Sequence, residues 1–166
     1  MTNEIITSRQ NPRVKSVAAL SDKKARKKAE LFRFDGIKLF CEALGRVRID
    51  SVFVRYPESE GVAKSVRDAI DGGFIPESCV FYLSESVFEK LTEESSPEGI
   101  VTVAKYADGL HTYASEGTAA ELKGKRLLVL ESVRDPGNLG TILRIADWFG
   151  IAQSAVQAGL PNGITS

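Results

Sequence analysis

Residues Leu127–Ile151 read LLVLESVRDPGNLGTILRIADWFGI. Arg126–Leu130 (RLLVL) is apolar enough for a strand buried on both faces. Arg134-Asp135-Pro136-Gly137-Asn138 is turn chemistry, with Pro-Gly at its centre. Asn138 is expected to cap a helix running from about Leu139 to Phe149 and stopped by Gly150. Ile142, Leu143, Ile145, Ala146, Trp148 and Phe149 leave that helix almost no polar face, which predicts a buried helix. Arg144 sits in its middle. A buried guanidinium needs a partner. Asp147, at i+3 on the same helix, is one candidate. The other is a phosphate or reacting hydroxyl near the loop, and the two are compatible. The turn resembles a strand-to-helix phosphate cradle, but GxxxxGK[ST] and a GxGxxG after a strand are both missing.

Upstream, strands and helices alternate, the pattern of an α/β layered fold. Asn11-Pro12 reads as N-cap and N1 of a helix through Leu20. Ser21 is expected to cap a second helix through about Ala29. Leu31–Phe34, Ser51–Arg55, Cys79–Leu83 and Ile100–Lys105 are strand candidates. Helices are expected at Ile37–Leu44, at Val62–Ile70 and from a Ser84 cap through Leu91. Glu93–Gly99 reads as a polar turn. Ala107–Lys125 reads as a linker, with a short helix at Thr118–Leu122. The expected organisation is a domain over residues 1–107, a linker over 108–125 and a second unit over 126–166.

Composition narrows the function classes. The chain has 166 residues, is 43% hydrophobic and 27% charged, and carries 22 basic and 22 acidic side chains. That is an ordinary globular balance. No apolar run approaches the roughly 20 residues of a membrane span, and the N-terminus lacks a signal-peptide core. Cys41 and Cys79 are too far apart for a CxxC pair and read as reduced thiols of a cytoplasmic protein. His111, the single histidine, excludes multi-His metal sites, and no metal is expected.

Charge is uneven beneath the neutral total. Residues 1–50 carry 12 Lys/Arg and 6 Asp/Glu, and the remainder carries 10 and 16. The basic positions Arg9, Arg13, Lys15, Lys23, Lys24, Arg26, Lys27 and Lys28 form the densest group. Such a cluster is either a solvated face or a phosphate-contacting patch on RNA or DNA.

The stretch Asp135–Asp147 (DPGNLGTILRIAD) resembles the first motif, DPGNLGxxxRxAD, of the SpoU/TrmH family of RNA 2′-O-ribose methyltransferases in the SPOUT superfamily. Ile6–Lys15 resembles the family opening S-x-x-N-P-x-x-K. Phe32–Gly36 with Lys38 and Leu39 resembles F-x-x-E-G-x-K-L, with Asp35 in place of Glu. Pro97-Glu98-Gly99-Ile100 resembles the T-P-Q-G-hydrophobic turn. The resemblance covers about residues 5–151. It implies an N-terminal α/β/α substrate-binding domain like certain ribosomal proteins, followed by a knotted α/β SPOUT domain that binds S-adenosylmethionine and forms homodimers. By the same resemblance Asn138 and Arg144 are active-site residues, and structured RNA (rRNA or tRNA) is the partner.

The family's later motifs carry the cofactor loops, and they have no counterpart in this sequence. Ala152–Ser166 does not look like the family's second strand; it reads as a shifted-frame tail or a cut end. The chain is therefore expected to hold the accessory domain and only the first strand and helix of the catalytic domain, to be inactive alone, and to leave the cofactor-binding residues unassigned. The alternatives are a non-catalytic RNA-binding module and a small-molecule phosphate-binding α/β protein.

Overall fold

Asn11 starts the first helix: its side-chain oxygen accepts the Arg13 N–H at 2.9 Å, and Pro12 occupies the first turn, where no N–H is needed. The computed structural model describes residues 5–92, 94, 96–106, 124, 126–131, 133, 135–151 and 153–157. It divides into two compact units, Met1–Leu110 and His111–Ser166.

In the first unit, α1 (Pro12–Ala18) runs into a 3-10 turn at Ala19–Ser21 and then α2 (Lys23–Ala29). There follow β1 (Leu31–Asp35), α3 (Ile37–Ala43), β2 (Ile49–Tyr56), α4 (Glu60–Asp71), β3 (Val80–Ser84), α5 (Glu85–Phe88) and β4 (Ile100–Lys105). The strands form one mixed sheet in the order β1-β4-β2-β3. β4 is antiparallel to both β1 and β2, and β2 is parallel to β3. Ile6 adds a single parallel bridge to Leu83 on the outer side of β3.

Alternation along the strands sorts side chains into two cores. Phe53, Leu83, Val101 and Val103 pack with Val14, Val17 and Leu20 and with Val87, Phe88 and Leu91. On the opposite face Val52, Val54, Val80 and Ile100 pack with Phe40 of α3 and Val62, Val66 and Ala69 of α4. The unit is thus layered α/β/α, with α1 and α5 on one side and α3 and α4 on the other.

Two local expectations are corrected in this unit. The cap of α2 is Asp22, not Ser21: its carboxylate accepts the Lys24 and Ala25 N–H groups at 2.9 and 3.0 Å. Ser21 lies inside the 3-10 turn, while Asp22 is extended, as a cap residue must be. The helix after Ser84 lasts one turn and ends at Phe88, because the chain then bends to bury Leu91. Ser84 makes no side-chain capping bond.

The second unit contains β5 (Leu127–Glu131), α6 (Pro136–Trp148) and β6 (Gln153–Gln157), with β5 and β6 parallel. This is a strand–helix–strand crossover. It corrects three expectations. First, Gln153–Gln157 is a strand, in register with β5 from Leu127↔Gln153 to Glu131↔Gln157. Its Gln- and Ser-rich composition gave no apolar run to read, and the pairing comes from the backbone ladder. Second, α6 begins at Pro136 and is capped by Asp135, whose Oδ2 accepts the Asn138 N–H at 2.6 Å. Proline fixes φ at a helical value and has no N–H to satisfy, so the helix starts one turn before Asn138 could cap it. Third, α6 is not buried. Ala146 is buried, but Ile145, Phe149 and Trp148 are 52%, 64% and 87% exposed. The proposed linker residues 108–125, apart from Gly124, and the helix expected at Thr118–Leu122 lie outside the described residues, as does His111.

Candidate functional site

The basic residues of the N-terminal region lie on the outside of the α1–α2 segment. α2 has the sequence KKARKKA and buries none of its residues. Lys23 and Lys27, and Lys24 and Lys28, are like-charged pairs at i,i+4, each costing isolated helices about 0.2–0.5 kcal/mol. Three basic side chains in its last turn offset part of this by facing the negative end of the helix. Lys15, Lys23, Lys24, Lys27 and Lys28 are all exposed. Among the described residues no ion pair engages any of these lysines; a loose contact joins half-buried Arg55 to exposed Glu85 at 3.9 Å.

The arginines of the group are placed differently. Arg26 is half-buried and donates from one nitrogen to the Leu20 and Ser21 carbonyls at 2.9 and 2.7 Å, closing the 3-10 turn. Arg9 donates Nε–H to the Ser86 carbonyl at 3.1 Å, fastening the N-terminal segment to α5. Arg13 lies over Phe81 of β3, with Cζ 4.5 Å from the ring centroid. The structure therefore leaves the five lysines free towards solvent and gives the three arginines contacts within the fold.

Two motifs distant in sequence meet at the β1–α3 turn. Gly36 has φ +102°, a region that L side chains rarely adopt, and its N–H donates to the Ile100 carbonyl at 3.1 Å. Glu98 Oε2 accepts the Ile37 N–H at 2.6 Å. Asp35 accepts the Thr92 hydroxyl at 2.8 Å. The F-x-x-D-G and P-E-G-I stretches are thus one structural junction that fixes β1, α3 and the start of β4 together. Sequence reading linked both to a family but not to each other.

In the second unit Asn138 is the third residue of α6, exposed, with its N–H held by Asp135. Arg144 is exposed and turns back along the helix, its Nη2 lying 3.9 Å from where a Cβ on Gly140 would sit. Helical side chains lean towards the N-terminus, so the guanidinium approaches the turn that carries Asn138. Among the described residues no hydrogen bond or ion pair engages it, Asp147 included. Thr141 Oγ1 is spent on the Gly137 carbonyl at 3.0 Å. Asn138, Thr141, Arg144 and Asp147 follow at three-residue steps, each turning the direction by about 60°, so they fan over half the helix rather than converge.

Two acidities are shifted. Burial pushes the Cys79 thiol up, with the nearby Asp50 carboxylate adding to it. Burial also raises the Tyr82 phenol, helped by Glu58 and Glu77. Neither group touches the basic residues of α2. Among the described residues there is no group of three or more His, Cys, Asp or Glu that could hold a metal, and no helix long and apolar enough to cross a membrane.

Comparison with known proteins gives a consistent set of relatives. The family model described as the MRM3-like substrate binding domain matches residues 11–102. The 23S rRNA (guanosine(2553)-2'-O)-methyltransferase RlmP of Bacillus subtilis is 30% identical over 151 residues, covering 88% of this chain and 51% of RlmP. The crystal structure of an rRNA methyltransferase from Sinorhizobium meliloti matches with a TM-score of 0.66 at 26% identity, over 95% of this chain and 56% of that one. A structure of an AdoMet-bound rRNA methyltransferase from Sinorhizobium meliloti matches with a TM-score of 0.63 at 26% identity, over 95% and 56% of the two chains. The chain spans about half the length of the curated relatives it matches.

Proposed function

We propose that this chain, which belongs to the family of MRM3-like substrate-binding domains and is related to SpoU and TrmH RNA methyltransferases, is the RNA-holding part of an S-adenosylmethionine-dependent rRNA ribose 2′-O-methyltransferase. In this reading the first unit is the substrate-binding domain, and β5, α6 and β6 open the SPOUT methyl-transfer domain. The protein works on structured RNA in the cytoplasm, with rRNA favoured over tRNA by the names of its relatives, and as a homodimer.

The observation that carries the RNA assignment is α2. A short helix with four lysines, none paired among the described residues and no residue buried, is electrostatically unfavourable alone. A polyanion laid along it removes that repulsion and releases counterions. The test is RNA affinity measured against salt, using a transcribed 23S rRNA fragment. Replacing Lys23, Lys24, Lys27 and Lys28 with alanine should flatten the log–log slope by about 0.7–0.9 for each phosphate no longer neutralised. An unchanged slope makes α2 an ordinary solvated face.

For catalysis we assign Asn138 and Arg144. A ribose 2′-OH is a weak acid, and methyl transfer to it needs its developing negative charge stabilised. Arg144, exposed and with unspent donors, is suited to hold the adjacent phosphate or that oxygen. A guanidinium is a poor base, so the role assigned to it is electrostatic. S-adenosylmethionine, when bound, supplies an electrophilic methyl group. The described residues of the second unit do not fit it unaided: their polar groups fan around one helix, and a cofactor site needs groups converging on a cavity. Calorimetry on this chain should accordingly detect no heat from micromolar S-adenosylmethionine. Specific binding there would assign the cofactor site to these residues after all. The non-catalytic reading of the chain as an RNA-binding module draws on that same fan of polar groups.

A further inference from the structure

We infer that Arg13 is the open end of a stacking column that receives an unpaired RNA base, so that this surface reads a splayed-out nucleotide as well as phosphates. The inference rests on the assignment of the α1–α2 surface to RNA.

The column begins in the core. Phe53, 1% exposed on β2, is the register partner of Phe81 on β3, and their rings stack with centroids 5.4 Å apart. Arg13 continues the stack from α1, its Cζ 4.5 Å from the Phe81 centroid. The helix fixes this placement, because Val14 and Val17 are buried beneath α1 and Arg13 lies beside them. Arg13 itself is exposed, and its guanidinium has no hydrogen-bond or ion-pair partner among the described residues. The guanidinium thus lies over an aromatic ring that is itself stacked on a second ring, and its donors have no partner among the described residues.

The surroundings favour a base over a phosphate. Arg13 lines a cleft of about 470 Å³, shared with Ser16, Asp50, Ser78 and Phe81. The Ser51 hydroxyl donates to Asp50 Oδ2 at 3.1 Å, which leaves Oδ1 to accept. A carboxylate repels a phosphate but accepts the N–H edge of a base. Unpaired RNA bases are recognised by stacking on aromatic or guanidinium planes combined with hydrogen bonds to their edges. The free lysines of α2 supply the backbone attraction that such a cleft lacks. Purines, with the larger face, gain more from the stack than pyrimidines do.

Arg13→Lys separates stacking from charge, since lysine keeps the cation and loses the plane. The probe is an RNA hairpin with an adenosine-rich loop, one loop base being 2-aminopurine, beside the same hairpin with abasic loop positions. The wild-type chain should quench the 2-aminopurine on binding. Arg13→Lys should lose the quenching and bind the adenosine loop about 5- to 150-fold more weakly, the range for removal of one base–side-chain stack. Its salt slope and its affinity for the abasic hairpin should be unchanged. Thermal unfolding of Arg13→Lys at the wild-type midpoint excludes misfolding as the cause. If Arg13→Lys binds both hairpins as wild type does, with the lysine-dependent salt slope intact, the stacking role is wrong and the RNA assignment stands. If the wild-type chain binds neither hairpin nor the 23S rRNA fragment, the RNA assignment fails and takes the stacking role with it.

Discussion

Removing the Asp135 carboxylate should loosen the helix that carries Asn138 and Arg144. Asp135 Oδ2 accepts the Asn138 N–H at 2.6 Å, and Pro136 occupies the first helical position, so Asp135 is the side-chain cap of α6. Loss of a cap typically costs about 1 kcal/mol, within a range of about 0.5–2. The negative charge beside the helix N-terminus contributes about 0.3–1 kcal/mol through the dipole. Both effects reside in the same carboxylate and overlap, so Asp135→Ala should weaken α6 by about 1–2 kcal/mol. The freed Asn138 amide lies at an exposed residue, where water replaces the missing partner and keeps the cost from rising further. Amide hydrogen exchange across residues 139–149 reads this directly: about 1–2 kcal/mol corresponds to about 5- to 30-fold faster exchange. Asp135→Asn keeps the acceptor and should lose only the dipole share. Asn138→Ala should not accelerate exchange, since among the described residues its side chain makes no capping bond and alanine is the better helix former. Equal acceleration in Asn138→Ala and Asp135→Ala would refute the assignment of the cap, as would normal exchange in Asp135→Ala.

Three further outcomes follow from the geometry. Arg144→Ala should change stability by no more than about 0.5 kcal/mol in urea unfolding, because the side chain is exposed and unpaired among the described residues; a loss of about 3–5 kcal/mol would instead reveal a buried ion pair. Glu98→Ala should destabilise the first unit by about 1–2 kcal/mol by stripping the Ile37 N–H of its charged acceptor, and Glu98→Gln should recover part of that in the same thermal scan. Burial raises the Cys79 thiol, so above the ordinary value of about 8.5 the unfolded chain loses its proton before the folded chain does. Stability should therefore fall as pH rises through that range. Cys79→Ala should delay the decline to the region near about 10 where Tyr82, shifted the same way, begins to act, and an unchanged pH profile in Cys79→Ala would remove the thiol as the cause.

The sheet strands were legible because each carries its own signal: β-branched and aromatic residues between turn residues, as in Ser51–Arg55. The start of α1 was legible for a similar reason, Asn-Pro being a local code. Misreadings fell where two neighbouring residues could do the same job. Ser21 and Asp22, and likewise Asp135 and Asn138, are all competent caps, and only the backbone conformation selects between them. β6 was missed because QSAVQ has neither apolar bulk nor clean alternation, and its partner strand supplies the order. The exposure of α6 illustrates a different limit: an apolar helix states that its surface is suited to burial, not what lies against it. At the candidate site the motif residues could be named from sequence. The junction of Glu98 with Ile37 and the column under Arg13 could not, because both join strands and helices far apart in the chain.

The position of β4 has a consequence for synthesis. It is the last strand of the first unit to be made, yet it lies between β1 and β2, which do not touch each other. Until residues 100–105 leave the ribosome, β1 has no neighbour in the sheet, while β2 and β3 can form at most a parallel pair. At about 5–20 residues per second, a nascent chain with these strands unjoined persists for seconds. The apolar side chains that β4 will cover, Phe53 and Val54 among them, are open to other chains during that interval. A pause in translation at any point before β4 has emerged lengthens that exposure and the chance that those side chains meet another chain.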